Sequence, residues 1–269
     1  MSKPLALLVN DDGVHSIGMQ VLKERLSKDF DCFVVGPKTE RSGIGKALTV
    51  GGTIRVDRLT TTYGEAYSVD GTPADAVLIA IYKLLPRRPA VTVAGINLGP
   101  NLGVDDILNS GTVGAAMEAS IHGIPSIAVS YCIAREFQDD LARGLQEDPG
   151  LKLAALIAHA LAKLVIEVGL PPTVDLISVN VPDYKVGVRG VRLTRPSKKG
   201  YPDIYVEAEG GFRIARWDTA LYPEDADDTD VEAVRDGFIS ITPLSLSLTP
   251  AASDMKPYLE AVKKLLEGS

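Results

Sequence analysis

Leu5-Ala6-Leu7-Leu8-Val9 runs without a break into Asn10-Asp11-Asp12-Gly13. Five consecutive apolar residues ending at a polar turn are the pattern of a strand covered on both faces, and such strands belong to parallel sheets flanked by helices. In those sheets ligands bind outside the carboxyl ends of the strands. Two ionised carboxylates side by side, about 4 Å apart, repel by roughly 4 kcal/mol at an effective dielectric near 20. Solvation, a shared proton or a cation relieves such a pair. A turn is the plain reading of Asn-Asp-Asp-Gly; its place after a buried strand favours a divalent-metal site.

Outward from this strand, similar apolar runs recur at Cys32–Val35, Val91–Ala94, Ser126–Val129 and Leu176–Val179. Helical spacing between them appears at Met19–Leu26, Ala74–Leu85 and Val113–His122, the last opened by Ser110-Gly111-Thr112 and closed by Gly123 and Pro125. One apolar helical stripe joins Leu153, Leu156, Ile157, Leu161, Leu164, Val165 and Val168, ended by Gly169 and two prolines. Strands alternating with helices predict an α/β fold with a three-layer core and a mostly parallel sheet. After Pro182 the texture changes. Val186–Arg195, Ile204–Glu209 and Phe212–Trp217 read as antiparallel strands of a β-hairpin or arm. A returning strand at Phe238–Ile241 and a terminal helix near Lys256–Leu266 follow. The expected division is a core over residues 1–182 and a C-terminal extension over 183–269 that packs on another subunit, because exposed strands need covering.

The chain of 269 residues is 45% hydrophobic and 23% charged with a net charge of −7, which fits an ordinary globular protein and argues against polymeric nucleic acid as a partner. A small anion stays compatible if a metal and local N–H groups supply positive potential. Cys32 and Cys132 form no Cys-x-x-Cys pair, so structural zinc has no support. Cys32 reads as a small buried hydrophobe. With no secretory apolar region and no run long enough to span a bilayer, a cytoplasmic location and no membrane partner are expected.

Other loops carry candidate chemistry, each with a plainer alternative. Arg41-Ser42-Gly43-Ile44-Gly45 offers a hydroxyl and close backbone approach, or is a surface loop. Gly95-Ile96-Asn97-Leu98-Gly99-Pro100-Asn101-Leu102-Gly103 follows an apolar strand and is a binding loop or a connection. Asn109-Ser110-Gly111-Thr112 opens a helix, where unpaired N–H groups seat phosphate but Ser and Thr also serve as caps. Asp70-Gly71-Thr72-Pro73-Ala74-Asp75 reads as structural, and Asp105-Asp106 as a solvated turn. His15 is within reach of the site from the first loop, but no second histidine lies nearby to support a zinc cluster, and His122 and His159 fall on helices without a role. Esterase elbow, P-loop and dinucleotide fingerprint are all missing.

Taken together, these loops resemble the SurE family, the stationary-phase survival proteins, which are metal-dependent nucleotide phosphatases. The likeness rests on Leu8–Ser16, Arg41-Ser42-Gly43, Asp70–Asp75, Gly95–Gly103, Ser110–Glu118 and Gly123–Ala128, with weaker echoes at Val179-Asn180-Val181-Pro182, Thr229-Asp230 and Ser240–Leu244. The resemblance implies a Rossmann-like core and one divalent cation (Mg²⁺, Mn²⁺ or Ca²⁺) per subunit, held by Asp11, Asp12, Ser42 and Asn97. It implies a phosphate- and substrate-facing surface of Asn10, Gly43, Asn101, Ser110, Gly111 and Thr112, and a homodimer or homotetramer built through the C-terminal region. The implied activity is removal of phosphate from nucleoside 5′- or 3′-monophosphates, and in some members trimming of short polyphosphate. Val9, Ile17 and Lys46 stand where the family more often has threonine, proline and histidine, and the Arg135–Pro149 stretch diverges.

The expected reaction is phosphomonoester hydrolysis with Asp11 and Asp12 as catalytic residues. Direct attack by water and a phosphorylated Asp11 both stay open. A haloacid-dehalogenase-like phosphatase is a rival, but it needs Asp-x-Asp spacing. A non-catalytic nucleotide sensor using the same loops is the rival from another class.

Overall fold

The computed structural model describes residues 3–133, 138, 141, 148–214, 221–248 and 255–267. Its centre is a nine-stranded sheet in the order β3-β4-β2-β1-β5-β6-β7-β11-β8. The strands are β1 Leu5–Val9, β2 Asp31–Pro37, β3 Val56–Thr61, β4 Gly64–Val69, β5 Val91–Leu98, β6 Ser126–Cys132, β7 Leu176–Pro182, β8 Gly190–Leu193 and β11 Phe238–Leu244. From β4 through β7 every pairing is parallel; β3 and β11 pair antiparallel to β4 and β7. All five residues of β1 are buried, as its unbroken apolar run requires.

The helices are α1 Ile17–Leu26, α2 Pro73–Ile79, α3 Gly103–Asn109, α4 Gly111–Ile121, α5 Pro149–Val168, α6 Asp230–Arg235 and α7 Lys256–Glu267. One core, including Met19, Leu22 and Leu26 of α1 and Leu151, Ala158 and Val165 of α5, fills one face of the sheet. The second, with Val77 of α2 and Val113, Ala116 and Ala119 of α4, fills the other. The stripe seen in the sequence between Leu153 and Val168 matches the buried side of α5 only in part. That side is Leu151, Ala154, Ala155, Ala158, Ala162 and Val165, with Leu153, Ile157 and Leu161 packed at its margin, whereas Leu156, Leu164 and Val168 are exposed. The segment expected as one helix at Ala74–Leu85 is α2 followed by a π-helical turn, Ala80–Leu84.

The chain leaves β1 toward β2 and β4, then crosses back to β5 on the other side of β1. Successive crossovers thus depart in opposite directions, opening a crevice beyond the carboxyl ends of β1 and β5.

The C-terminal segment departs from expectation in one respect. Val186–Arg195 does not supply an antiparallel arm strand: β8 runs parallel to β11, with Phe238 opposite Gly190 and Ile241 opposite Leu193. Helix α6 lies in the connection between them, and parallel pairing needs such a crossover. The hairpin itself is present as β9 Tyr205–Ala208 and β10 Gly211–Ile214, antiparallel and separate from the main sheet. Residues 215–217 of the expected third strand lie outside the described residues, as does most of the divergent Arg135–Pro149 stretch. The β3–β4 hairpin has no counterpart in the sequence reading. Among the described residues no helix is long and apolar enough to cross a membrane.

Candidate active site

Val9 pairs with Ala94, so Asp11 and Asp12 leave β1 beside the end of β5, where Asn97 lies. Asn97 stands opposite Ser130, Ser130 opposite Asn180, and Asn180 opposite Ser240. A row of polar residues therefore crosses four neighbouring strands of the sheet. This row borders the crevice.

Asp11 is buried, and its carboxylate sits against the first turn of α4. The Thr112 hydroxyl donates to Asp11 Oδ1. A Cβ on Gly111 would lie 2.7 Å from Asp11 Cβ and 2.8 Å from Oδ2, so glycine is what allows this approach. Burial raises the Asp11 pKa, and the hydrogen bonds from Thr112 partly offset the rise. Burial, then the charge of Asp11, then that of Glu40, push the Asp12 carboxyl well above the usual carboxylate range. Asp12 Oδ2 is buried and has no hydrogen-bond partner among the described residues.

The second loop is tied to this point from both ends. The backbone N–H of Arg41 donates to the Asp11 carbonyl at 2.8 Å, and that of Gly45 donates to Asn109 O at 2.7 Å. Ser42 is exposed, and its hydroxyl donates to Glu40 Oε1 at 2.7 Å. Asn97 is half-buried, and its amide nitrogen donates to Gly99 O at 2.9 Å, so the amide oxygen is the atom it can offer to a ligand. A cavity of about 580 Å³ opens beside Ser42 and Gly43.

The remaining residues picked out in the sequence divide by position. Ser110 caps α4, accepting from the Val113 N–H at 3.1 Å. Asn10 is buried, with its amide nitrogen donating to Gly13 O at 3.0 Å and to Ser16 Oγ at 2.7 Å, so it braces the first loop and the start of α1. Asn101 is engaged further across the sheet: its side chain donates to Ser130 Oγ at 2.8 Å, and its N–H donates to Asn180 Oδ1 at 2.9 Å. His15 is exposed, whereas His159 is buried with Nε2 2.7 Å from Asp29 Oδ2. Lys46 is paired with the buried carboxylate of Glu118, which His122 also meets at 3.1 Å.

Asp70–Asp75 is structural, as read. Thr72 and Asp75 form a capping box on α2, and Asp75 also accepts from the Thr49 hydroxyl at 2.6 Å. Asp106 is not a solvated turn residue. It is 2% exposed within α3 and accepts from the Tyr201 hydroxyl at 2.9 Å. The sequence reading also passed over Glu40 and Tyr201. Glu40 closes an undistinguished loop start, and Tyr201 follows a Lys-Lys-Gly turn; neither has a local pattern that marks it.

The donor set can be tested against a cation. Among the described residues there is no group of three or more His, Cys, Asp or Glu able to hold a metal ion. Two carboxylates with neutral oxygens from a hydroxyl and an amide nonetheless form a hard-oxygen set suited to Mg²⁺, Mn²⁺ or Ca²⁺. The orphaned, buried Asp12 oxygen fits that use.

The model of the family described as "Survival protein SurE" matches residues 6–203. A 5′-nucleotidase SurE of Archaeoglobus fulgidus is 38% identical over 245 residues, covering 90% of this chain and 92% of that one. Its counterpart in Syntrophotalea carbinolica is 42% identical over 248 residues, covering 91% and 92%. Among solved structures, the crystal structure of the SurE protein from Aquifex aeolicus superposes with a TM-score of 0.75 at 34% identity, covering 96% of this chain and all of that one.

Proposed function

Because this chain belongs to the SurE family and is a nucleotidase, we propose that it hydrolyses nucleoside 5′-monophosphates, and also 3′-monophosphates and short polyphosphate, with one divalent cation held by Asp11, Asp12, Ser42 and Asn97. The observation that carries this reading is Asp12 Oδ2, buried beside the buried carboxylate of Asp11 and without a hydrogen-bond partner among the described residues. An unsatisfied buried polar atom costs about 1–3 kcal/mol, and more when charged. A cation is the partner that offsets this cost for both acids at once. When bound, it supplies charge neutralisation on a phosphate oxygen and a water of lowered pKa.

The chain's own groups do the rest. Thr112 orients Asp11 by donating to Oδ1. Ser110 accepts from Val113, so its hydroxyl proton is left to donate to a phosphate oxygen. The N–H of Gly111 at the start of α4 and the backbone of Gly43 complete the phosphate surface, while Asn10, buried against Gly13 and Ser16, and Asn101, bonded to Ser130 and Asn180, support it from behind. The acids at a strand tip are adjacent rather than spaced Asp-x-Asp, which speaks against a haloacid-dehalogenase-like centre. The relatives' names speak for turnover rather than sensing.

The test is release of inorganic phosphate from a nucleoside 5′-monophosphate, lost in EDTA and restored by Mg²⁺ or Mn²⁺. Asp12→Asn should abolish both turnover and tight metal binding. An Asp12→Asn protein that binds the metal and retains activity refutes the assignment.

A further inference from the structure

We propose that the cavity beside Ser42 and Gly43 seats the nucleoside, and that the ring of Tyr201 is the fixed platform on which the base stacks. Tyr201 is then a specificity-determining residue that favours nucleotides over phosphomonoesters lacking a base. The inference rests on the phosphatase reading above and adds to it where the rest of the substrate goes.

Three observations support it. Ser42 and Gly43 line the same cavity as Tyr201 and Tyr205, so a molecule with its phosphate near the first pair has the aromatic pair among its walls. Its volume, about 580 Å³, lies in the range of pockets for small organic ligands. Most tellingly, Tyr201 is held in place from behind. Its hydroxyl donates to the buried Asp106 at 2.9 Å, and its ring centroid lies 4.1 Å from that of Tyr222. Tyr222 is itself 3% exposed and donates to Leu102 O at 2.7 Å.

A buried carboxylate and a buried second ring are thus spent on fixing one half-exposed aromatic at a cavity wall. Aromatic faces accept any base by stacking, and a face fixed in advance loses little freedom when one binds. Asp105 of α3 lines the same cavity as an acceptor suited to ribose hydroxyls, and Asn109 donates to it at 3.1 Å.

The experiment compares steady-state hydrolysis of adenosine 5′-monophosphate and ribose 5-phosphate, which share the phosphoester but differ in the base. In wild type the nucleotide should show the lower KM. Tyr201→Leu should raise the nucleotide KM about tenfold, the size expected for one lost stacked base, with kcat little changed. The same variant should leave ribose 5-phosphate kinetics unchanged, which also shows that it folds. Tyr201→Phe keeps the ring and its packing on Tyr222 but loses the hydroxyl's hold on Asp106, and should give a nucleotide KM between those of wild type and Tyr201→Leu. Should Tyr201→Leu fail to fold, Tyr205→Ala on the exposed wall should raise the nucleotide KM selectively. Equal losses on both substrates, or an unmoved nucleotide KM in the folded variants, overturn the proposal. Wild type that releases phosphate from neither substrate instead defeats the phosphatase reading itself.

Discussion

Asp12 carries a cost of burial that a retained proton or a bound cation relieves. Burial, Asp11 and Glu40 all raise its pKa, so the folded acid pair keeps a proton at pH values where the unfolded chain has already released it. The sign of the linkage follows. Below the ordinary carboxylate pKa of about 3.9 both states are protonated and nothing is lost. As pH rises from there through the raised folded-state value, the metal-free protein loses stability. A cation bound only by the folded state reverses the loss. Scanning calorimetry in EDTA should therefore show a melting temperature that falls over this range, and a Mg²⁺- or Mn²⁺-induced increment that grows over it. Asp12→Asn removes one buried charge, so its metal-free form should melt a few degrees above metal-free wild type at neutral pH and gain nothing from the cation. Metal-free Asp12→Asn melting below wild type would show that Asp12 carries no such burden. The acids themselves were legible in the sequence, because two charges closing a five-residue apolar run conflict with their surroundings. Asp106 was not: its Tyr201 partner is 95 positions away, and only the folded chain makes a buried acid of it.

Helix α4 joins the acid pair to the second loop through two glycines one turn apart on the same face. Gly111 lies against Asp11, while a Cβ on Gly114 would come within 2.7 Å of Gly45 O. The helix N-terminus and the loop bearing Ser42 and Gly43 thus share one rigid support. Gly114→Ala should push that loop outward, with overpacking of about 1–3 kcal/mol in stability and a loss in nucleotidase kcat/KM of at least tenfold. A variant destabilised by that amount with unchanged kcat/KM would show that the loop's seat on α4 is irrelevant to turnover. At this scale the sequence was informative where one physical signal dominated. Apolar runs marked β1, β2, β5, β6 and β7, and periodicity marked α5. The β3–β4 hairpin is hidden because Val56-Asp57-Arg58-Leu59-Thr60-Thr61, an edge strand with half its residues exposed and none buried, carries no apolar run. The direction of β8 was equally hidden, since pairing partner and crossover are tertiary facts that a short exposed strand does not encode.

Over the whole molecule, the exposed apolar surface gathers in the C-terminal part. Phe212 on the β9–β10 hairpin is 74% exposed, and on α7 Tyr258, Leu259 and Val262 are each more than half exposed. Helix α7 pairs these residues with a strongly polar opposite side, Lys256, Glu260 and Lys263 among them. Scattered apolar residues on a surface need no account, but a hairpin and an amphipathic helix that both leave their apolar sides to solvent do. Closed symmetric association is the common way for a soluble chain to cover such surfaces. The full-length protein should therefore run as a dimer or larger at micromolar concentration by light scattering. Truncation after residue 248, which removes α7, should shift it toward smaller species. Phe212→Ser should do the same through the hairpin while leaving the crevice beyond β1 and β5 intact, so phosphate release per active subunit is the control for folding. A full-length protein that scatters as a monomer at that concentration would leave both surfaces uncovered and the oligomer proposal without support.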